Sequence, residues 1–127
     1  MIGRNRMNDE MRQCLVLSRD LLFFSRLRGA AEACGVRAFL ADRCDQLLQR
    51  ASGETVDLVV LDLGASDLEV GVAVSALRAL PYPPTAIVAF APHVRVDQLA
   101  AARAAGCDEV YTRREFHKRV RAILHEM

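Results

Sequence analysis

The sequence predicts an α/β protein, an open and doubly wound sheet of five parallel strands with helices on both faces. Three observations carry that prediction. Short apolar runs and amphipathic stretches alternate five times along the chain, the pattern of a parallel sheet whose crossover helices cover it on both sides. The third run, VDLVVLDL, is apolar on successive rather than alternate residues, which suits a strand with no solvent face. The length of 127 residues falls in the range of one domain, and 52% hydrophobic residues supply a core for it.

Residues 1–11 read as a flexible N-terminal arm and residues 12–127 as a single domain. The first strand is the run Cys14 to Leu17. A helix follows from Asp20 to Cys34, with Phe24, Leu27, Ala31 and Cys34 on one face and Gly35 as its stop. Val36 to Ala41 is the second strand, and a helix from about Asp42 to Ala51 ends at Gly53. Val56 to Leu63 is the third and central strand. Ser66 and Glu69 have the spacing of a capping box that opens the third helix, and that helix must stop before Pro81 because proline blocks continuation. The segment PYPPT is a rigid connector to the fourth strand, Ala86 to Ala91. A fourth helix, Arg95 to Ala105, ends at Gly106. Glu109 to Thr112 is short and half polar, as edge strands often are. Thr112 and Glu115 repeat the capping-box spacing, and Phe116, Val120, Ile123, Leu124 and Met127 form the buried stripe of the fifth helix.

Composition limits the function. Charged residues make up 26% and the formal net charge is +1, so neither disorder nor bulk electrostatic attraction to nucleic acid is expected. No apolar run approaches the roughly 18 residues of a membrane span, and the polar start lacks the apolar stretch of a secretory signal. A cytoplasmic location is therefore expected. Cys14, Cys34, Cys44 and Cys107 are scattered, with no C-x-x-C pair, and read as four buried, reduced thiols.

In an open α/β sheet the functional crevice lies beyond the carboxyl ends of the strands. Those ends carry Ser18, Arg19 and Asp20 after the first strand, Asp62 after the third, Ala91, Pro92 and His93 after the fourth, and Thr112 and Arg113 after the fifth. With this spacing the chain resembles the receiver domain of bacterial response regulators, the CheY-like, flavodoxin-like fold, from Cys14 to Leu124. The resemblance implies the strand order 2-1-3-4-5. It also implies an acidic pair at the end of the first strand, a phosphorylatable aspartate closing the third, a Ser or Thr closing the fourth and a Lys closing the fifth. Asp62 falls on the phosphoacceptor position. The acidic pair falls on Ser18 and Arg19, the hydroxyl on Ala91 and the lysine on Arg113, so only the aspartate is kept in kind.

Each departure has a chemical consequence. Phosphoryl transfer to a carboxylate needs a cation over the equatorial oxygens, and Mg²⁺ wants several oxygen ligands. Ser18 and Arg19 supply one weak ligand and one repulsive charge. Asp20 replaces the missing acid only if the register shifts by one, and Asp20 with Asp62 is then the metal set; otherwise no metal or other cofactor is expected. Ala91 has no hydroxyl to follow a phosphoryl oxygen, and Arg113 is planar and bulkier than Lys. Arg19 projecting toward Asp62, with Arg113 approaching from the other side, would hold the site in one state. The alternative is that Arg19 faces solvent and Asp62 is an ordinary strand-end carboxylate.

His93, in a crevice-facing loop, and His117 and His125, on the last helix, show no metal or catalytic partner. Arg114, Lys118, Arg121 and His125 form a basic stripe on that helix, a solvated face or a contact for an acidic protein. In receiver domains the face of the fourth helix, fifth strand and fifth helix mediates dimerisation, so the resemblance places Arg103 and Tyr111 at such a contact. No catalytic constellation is visible, and an enzyme is not expected. SRDLLFF has no glycine to bring backbone N–H groups to a phosphate, which weighs against a nucleotide or flavin module.

The reading is a stand-alone, atypical receiver domain in bacterial signal transduction, with a degenerate pocket around Asp62. Its expected partners are other signalling proteins, a histidine kinase or an output protein, or a second copy of itself; membrane and nucleic acid are not expected. Two alternatives stay open: a functional phosphoacceptor in a two-component phosphorelay, and a small-ligand binding protein of the same fold.

Overall fold

The computed structural model describes residues 11–65, 68–91 and 95–126. The arm up to residue 10, Ser66, His93 and Met127 therefore lie outside the described residues. Among the described residues ten elements alternate: β1 (Arg12–Leu17), α1 (Leu21–Ala33), β2 (Val36–Ala41), α2 (Cys44–Gly53), β3 (Leu58–Asp62), α3 (Val70–Arg78), β4 (Ala86–Ala91), α4 (Val96–Ala105), β5 (Glu109–Thr112) and α5 (Arg113–Glu126). All strand pairs are parallel, in the order β2-β1-β3-β4-β5. The expected fold class, with the third run at the centre and EVYT at an edge, is the one observed.

Alternation along the strands builds two cores. Leu15, Leu17, Val59, Leu61, Ile87 and Ala89 pack with Leu47 and Ala51 of α2, Val74 and Leu77 of α3, and Leu99 and Ala102 of α4. Cys14, Val16, Leu58, Val60, Val88 and Phe90 pack with Phe23, Leu27 and Ala31 of α1 and with Phe116, Ile123 and Leu124 of α5. Both faces of β3 are covered, and all five of its residues are buried. Each large apolar side chain so buried stabilises the fold by about 1.5–3 kcal/mol before ordering costs.

Several local expectations need correction. The apolar run from Val56 to Leu63 is longer than its strand, because Val56 and Leu63 are buried in the core without belonging to β3. The buried stripe of α1 starts at Phe23, not Phe24, and Phe24 is half-buried against the same core. Asp20 caps α1, its carboxylate accepting from the Phe23 N–H at 3.0 Å, and this cap sets the phase that turns Phe23 inward. The second helix begins at Cys44, two residues later than expected, and includes Gly53. The capping box of Ser66 and Glu69 is not the start of α3, since Glu69 is itself the N-cap residue. Ahead of the helix, Ala65 N–H donates to Asp62 O and Leu68 N–H to Ala65 O. The cysteines are not uniformly buried: Cys14 is, whereas Cys34, Cys44 and Cys107 are half-buried. Burial, reinforced by the Asp57 charge, pushes the Cys14 thiol up to about 12, which leaves it a neutral core residue.

The second capping box forms as expected. Glu115 N–H donates to Thr112 Oγ1 at 3.2 Å, and Thr112 N–H donates to the Glu115 carboxylate at 2.8 Å. Replacing Thr112 with Ala is expected to cost about 1 kcal/mol, read as a lower urea midpoint at unchanged slope. Gly106 ends α4 at φ 98°, in the left-handed region where a side chain is strained.

Candidate functional site: the pocket around Asp62

The carboxyl ends of β1, β3 and β5 converge on an open depression of about 260 Å³ lined by Arg19, Asp20, Asp62, Gly64, Ala65 and Arg113. Asp62 ends β3, in register with Phe90 of β4, and is buried. Its two oxygens are both engaged within the chain. Ser18 Oγ donates to Oδ2 at 2.8 Å, and the Gly64 N–H donates to Oδ1 at 2.9 Å. Ser18 is fully buried; its N–H donates to the Ala41 carbonyl, and its hydroxyl oxygen accepts from the Asp20 N–H at 3.1 Å. One hydroxyl thus ties the start of the β1–α1 connection to the buried aspartate.

Asp20 is equally committed. Oδ1 accepts from the Phe23 N–H, and Oδ2 accepts from Arg113 Nη2 at 2.5 Å. The helix-capping bond first, and the Arg113 bond second, hold its carboxyl below the usual carboxylate range. The stability linked to that depression is present above the ordinary carboxylate pKa and fades as the pH falls through the lowered one. Arg113 opens α5, so the Arg113–Asp20 ion pair links the first turns of α5 and α1 across the mouth of the pocket.

Beneath that pair lies an aromatic shelf. Phe90 stacks on Phe116 with centroids 5.2 Å apart, and Phe23 packs on Phe90 at 4.7 Å. The Arg113 guanidinium lies over Phe23 and Phe90, 5.2 and 5.8 Å from their centroids, where the ring faces attract it. Arg19 lines the same depression, and its Nε donates to the Asp42 carbonyl at 3.3 Å. Ala91 is fully buried at the end of β4. Among the described residues no group of three or more His, Cys, Asp or Glu side chains could hold a metal ion. The four carboxylate oxygens of Asp20 and Asp62 already accept hydrogen bonds, and the Arg113 guanidinium pairs with Asp20 at the mouth of the pocket. This donor set does not fit the octahedral oxygen shell of Mg²⁺.

The remaining sequence-picked residues are spread over the surface. Arg103, Arg114, Lys118 and Arg121 are exposed, and Tyr111 is half-buried on β5. The Tyr111 hydroxyl donates to Glu109 at 2.7 Å, and desolvation, with that bond, pushes its pKa up to about 12. Arg119, which the sequence did not single out, lies over the Tyr111 ring at 6.0 Å. His117 stands edge-on to Phe23, and His125 Nε2 is 3.7 Å from Cys34 Sγ. The sequence reading also missed Gly64 and the aromatic shelf. The D-x-G spacing of Asp62 and Gly64, typical of a side chain folding back on the next turn, was the available signal for the first.

No family model and no curated protein matches the chain. Solved structures do. A CheY-like response regulator receiver domain protein from Methanospirillum hungatei is 16% identical, with a TM-score of 0.73 over 92% of this chain and 96% of that one. A two-component response regulator from Clostridium difficile is 22% identical, with a TM-score of 0.73 over 91% and 98%. The receiver domain of a sensor histidine kinase from Pseudomonas aeruginosa, crystallised with magnesium coordinated in its active site cleft, is 14% identical at a TM-score of 0.74, over 91% and 98%. At these identities the likeness is one of fold.

Proposed function

We propose that this chain, which has the CheY-like receiver fold, is a signalling module that acts through protein contacts and whose pocket around Asp62 is held in one state. The observation that carries this reading is the engagement of every carboxylate oxygen of Asp20 and Asp62 by Phe23, Arg113, Ser18 and Gly64. A phosphoryl group arriving at Asp62 would have to break the buried Ser18 bond, with no metal set to offset its charge. Ala91 offers no hydroxyl to report such an event to α4. The contacts themselves fall to exposed cations, Arg103 of α4 and Arg114, Lys118 and Arg121 along α5, suited to an acidic partner or a second copy. Among the described residues no helix is long and apolar enough to cross a membrane.

The small-ligand alternative loses support from the same bonds. The N-terminus of α1, where a phosphate would sit, is filled by the Asp20 carboxylate. The phosphorelay alternative is separated by experiment. Incubated with a small acyl phosphate and Mg²⁺, the chain is expected to show no phosphoryl adduct by intact mass. An adduct that disappears in Asp62→Asn would overturn the closed-pocket reading in favour of a working phosphoacceptor.

A further inference from the structure

A second groove lies at the opposite end of the sheet and has no part in the reading above. It has a volume of about 220 Å³ and runs between the amino-terminal ends of β3 to β5 and the last turns of α5. Leu58, Val88 and Ile123 form its apolar floor, and Asp108, Glu109 and Glu126 its rim. A floor of branched aliphatics under three carboxylates is matched to a ligand that is apolar and cationic at once. Two rim groups are already in use: Asp108 accepts from Arg78 and from the Ile87 N–H, and Glu109 accepts from Tyr111. Glu126 is exposed at the end of α5.

We propose that this groove is the docking site of the chain's own segment 1–10, with Arg4 and Arg6 on the carboxylate rim and Met7 on the apolar floor. The segment reads MIGRNRMNDE: its first seven residues interleave two guanidinium groups with Ile2 and Met7, and the carboxylates of Asp9 and Glu10 fall in the tether to Arg12, outside the stretch assigned to the groove. The chain joins the sheet beside the groove. Arg12, the first residue of β1, donates to the carbonyl of His125, the neighbour of Glu126, at 3.4 Å, and to that of Cys34 at 3.2 Å. Cys14 of β1 is in register with Leu58, and Leu58 with Ala86, so the groove opens at the level where the segment enters. From β1 to β4 is two strand spacings, about 10 Å, whereas the five residues from Met7 to Arg12 span about 17 Å when extended. Covalent attachment presents the segment at an effective concentration on the order of millimolar, so contacts of modest strength suffice.

The test is methyl NMR on the full chain. Nuclear Overhauser cross-peaks are expected between the Met7 methyl and the methyls of Val88 and Ile123. They should vanish in Arg4→Glu/Arg6→Glu and return when Glu126→Arg is added to that double variant. Folding of each variant is read from the methyl shifts of Leu47 and Leu77, in the core on the other face of the sheet. Parent spectra without the cross-peaks, or Val88 and Ile123 methyl shifts identical in the parent and the double variant, would overturn the proposal. So would a groove that takes up an added MIGRNRMNDE peptide equally well in both proteins, since an occupied site would have to exclude it in the parent.

Discussion

Exchanging Ser18 and Arg19 together for aspartate is expected to yield a protein that Mg²⁺ stabilises, where the parent is indifferent to the ion. Ser18 is fully buried with its hydroxyl 2.8 Å from Asp62, so a carboxylate in its place sets two like charges within bonding distance and away from water. Without metal the variant should lose about 3 kcal/mol, the scale of an uncompensated buried charge. With Mg²⁺ at a hundredfold excess over its dissociation constant, linkage returns about 2.7 kcal/mol. Thermal melts with and without the ion read both numbers, and intact mass after exposure to an acyl phosphate reads whether Asp62 has become reactive. Arg19→Asp alone should stay inert, because Ser18 still occupies Asp62 and Arg113 still occupies Asp20. A parent whose melting temperature rises with Mg²⁺ as much as that of the double variant would contradict the closed-pocket reading.

Phe90→Ala is expected to be the most damaging single truncation near the site, at about 3–5 kcal/mol. Phe90 is fully buried, stacked on Phe116 and packed against Phe23, and its removal opens a cavity that three neighbouring elements cannot close. Phe24→Ala, at the half-buried neighbour of Phe23, should cost about 1 kcal/mol. Urea unfolding compares the two, and similar midpoints would mean that the aromatic shelf collapses to fill the gap. Because the shelf lies under Arg113, the Phe90 variant should also loosen the Arg113–Asp20 pair, visible as a rise of the depressed Asp20 pKa toward its ordinary range.

The fold was legible because parallel sheets write themselves into local sequence. A strand covered on both faces is apolar on successive residues, as Leu58 to Leu61 are; an edge strand can be short and half polar, and EVYT is. Gly35 and Gly106 sit where the chain turns left-handed, at φ 74° and 98°, and the Thr112 and Glu115 box joins two residues three positions apart in one segment. The misjudged boundaries have a common cause. Apolarity reports burial and not pairing, so Val56 and Leu63 looked like strand, while Glu69, which fell at a box spacing, is itself the N-cap residue.

The pocket was legible as a set of residues but not as a set of bonds. Strand-end position alone brings Ser18, Arg19, Asp20, Asp62 and Arg113 together, since five parallel strands deliver their carboxyl ends to one edge. Which oxygen meets which donor depends on distances between segments 44 and 93 positions apart in sequence, and no local pattern encodes those. The sequence by itself therefore determined the sheet, its central strand and the membership of the crevice, because each is a matter of periodicity and chain order. Only the tertiary structure decided that Ser18 reaches Asp62, that Arg113 reaches Asp20, and that Phe23 and Phe90 lie beneath that pair. Those choices depend on helix phase and side-chain packing in three dimensions, where a shift of one residue exchanges the partners.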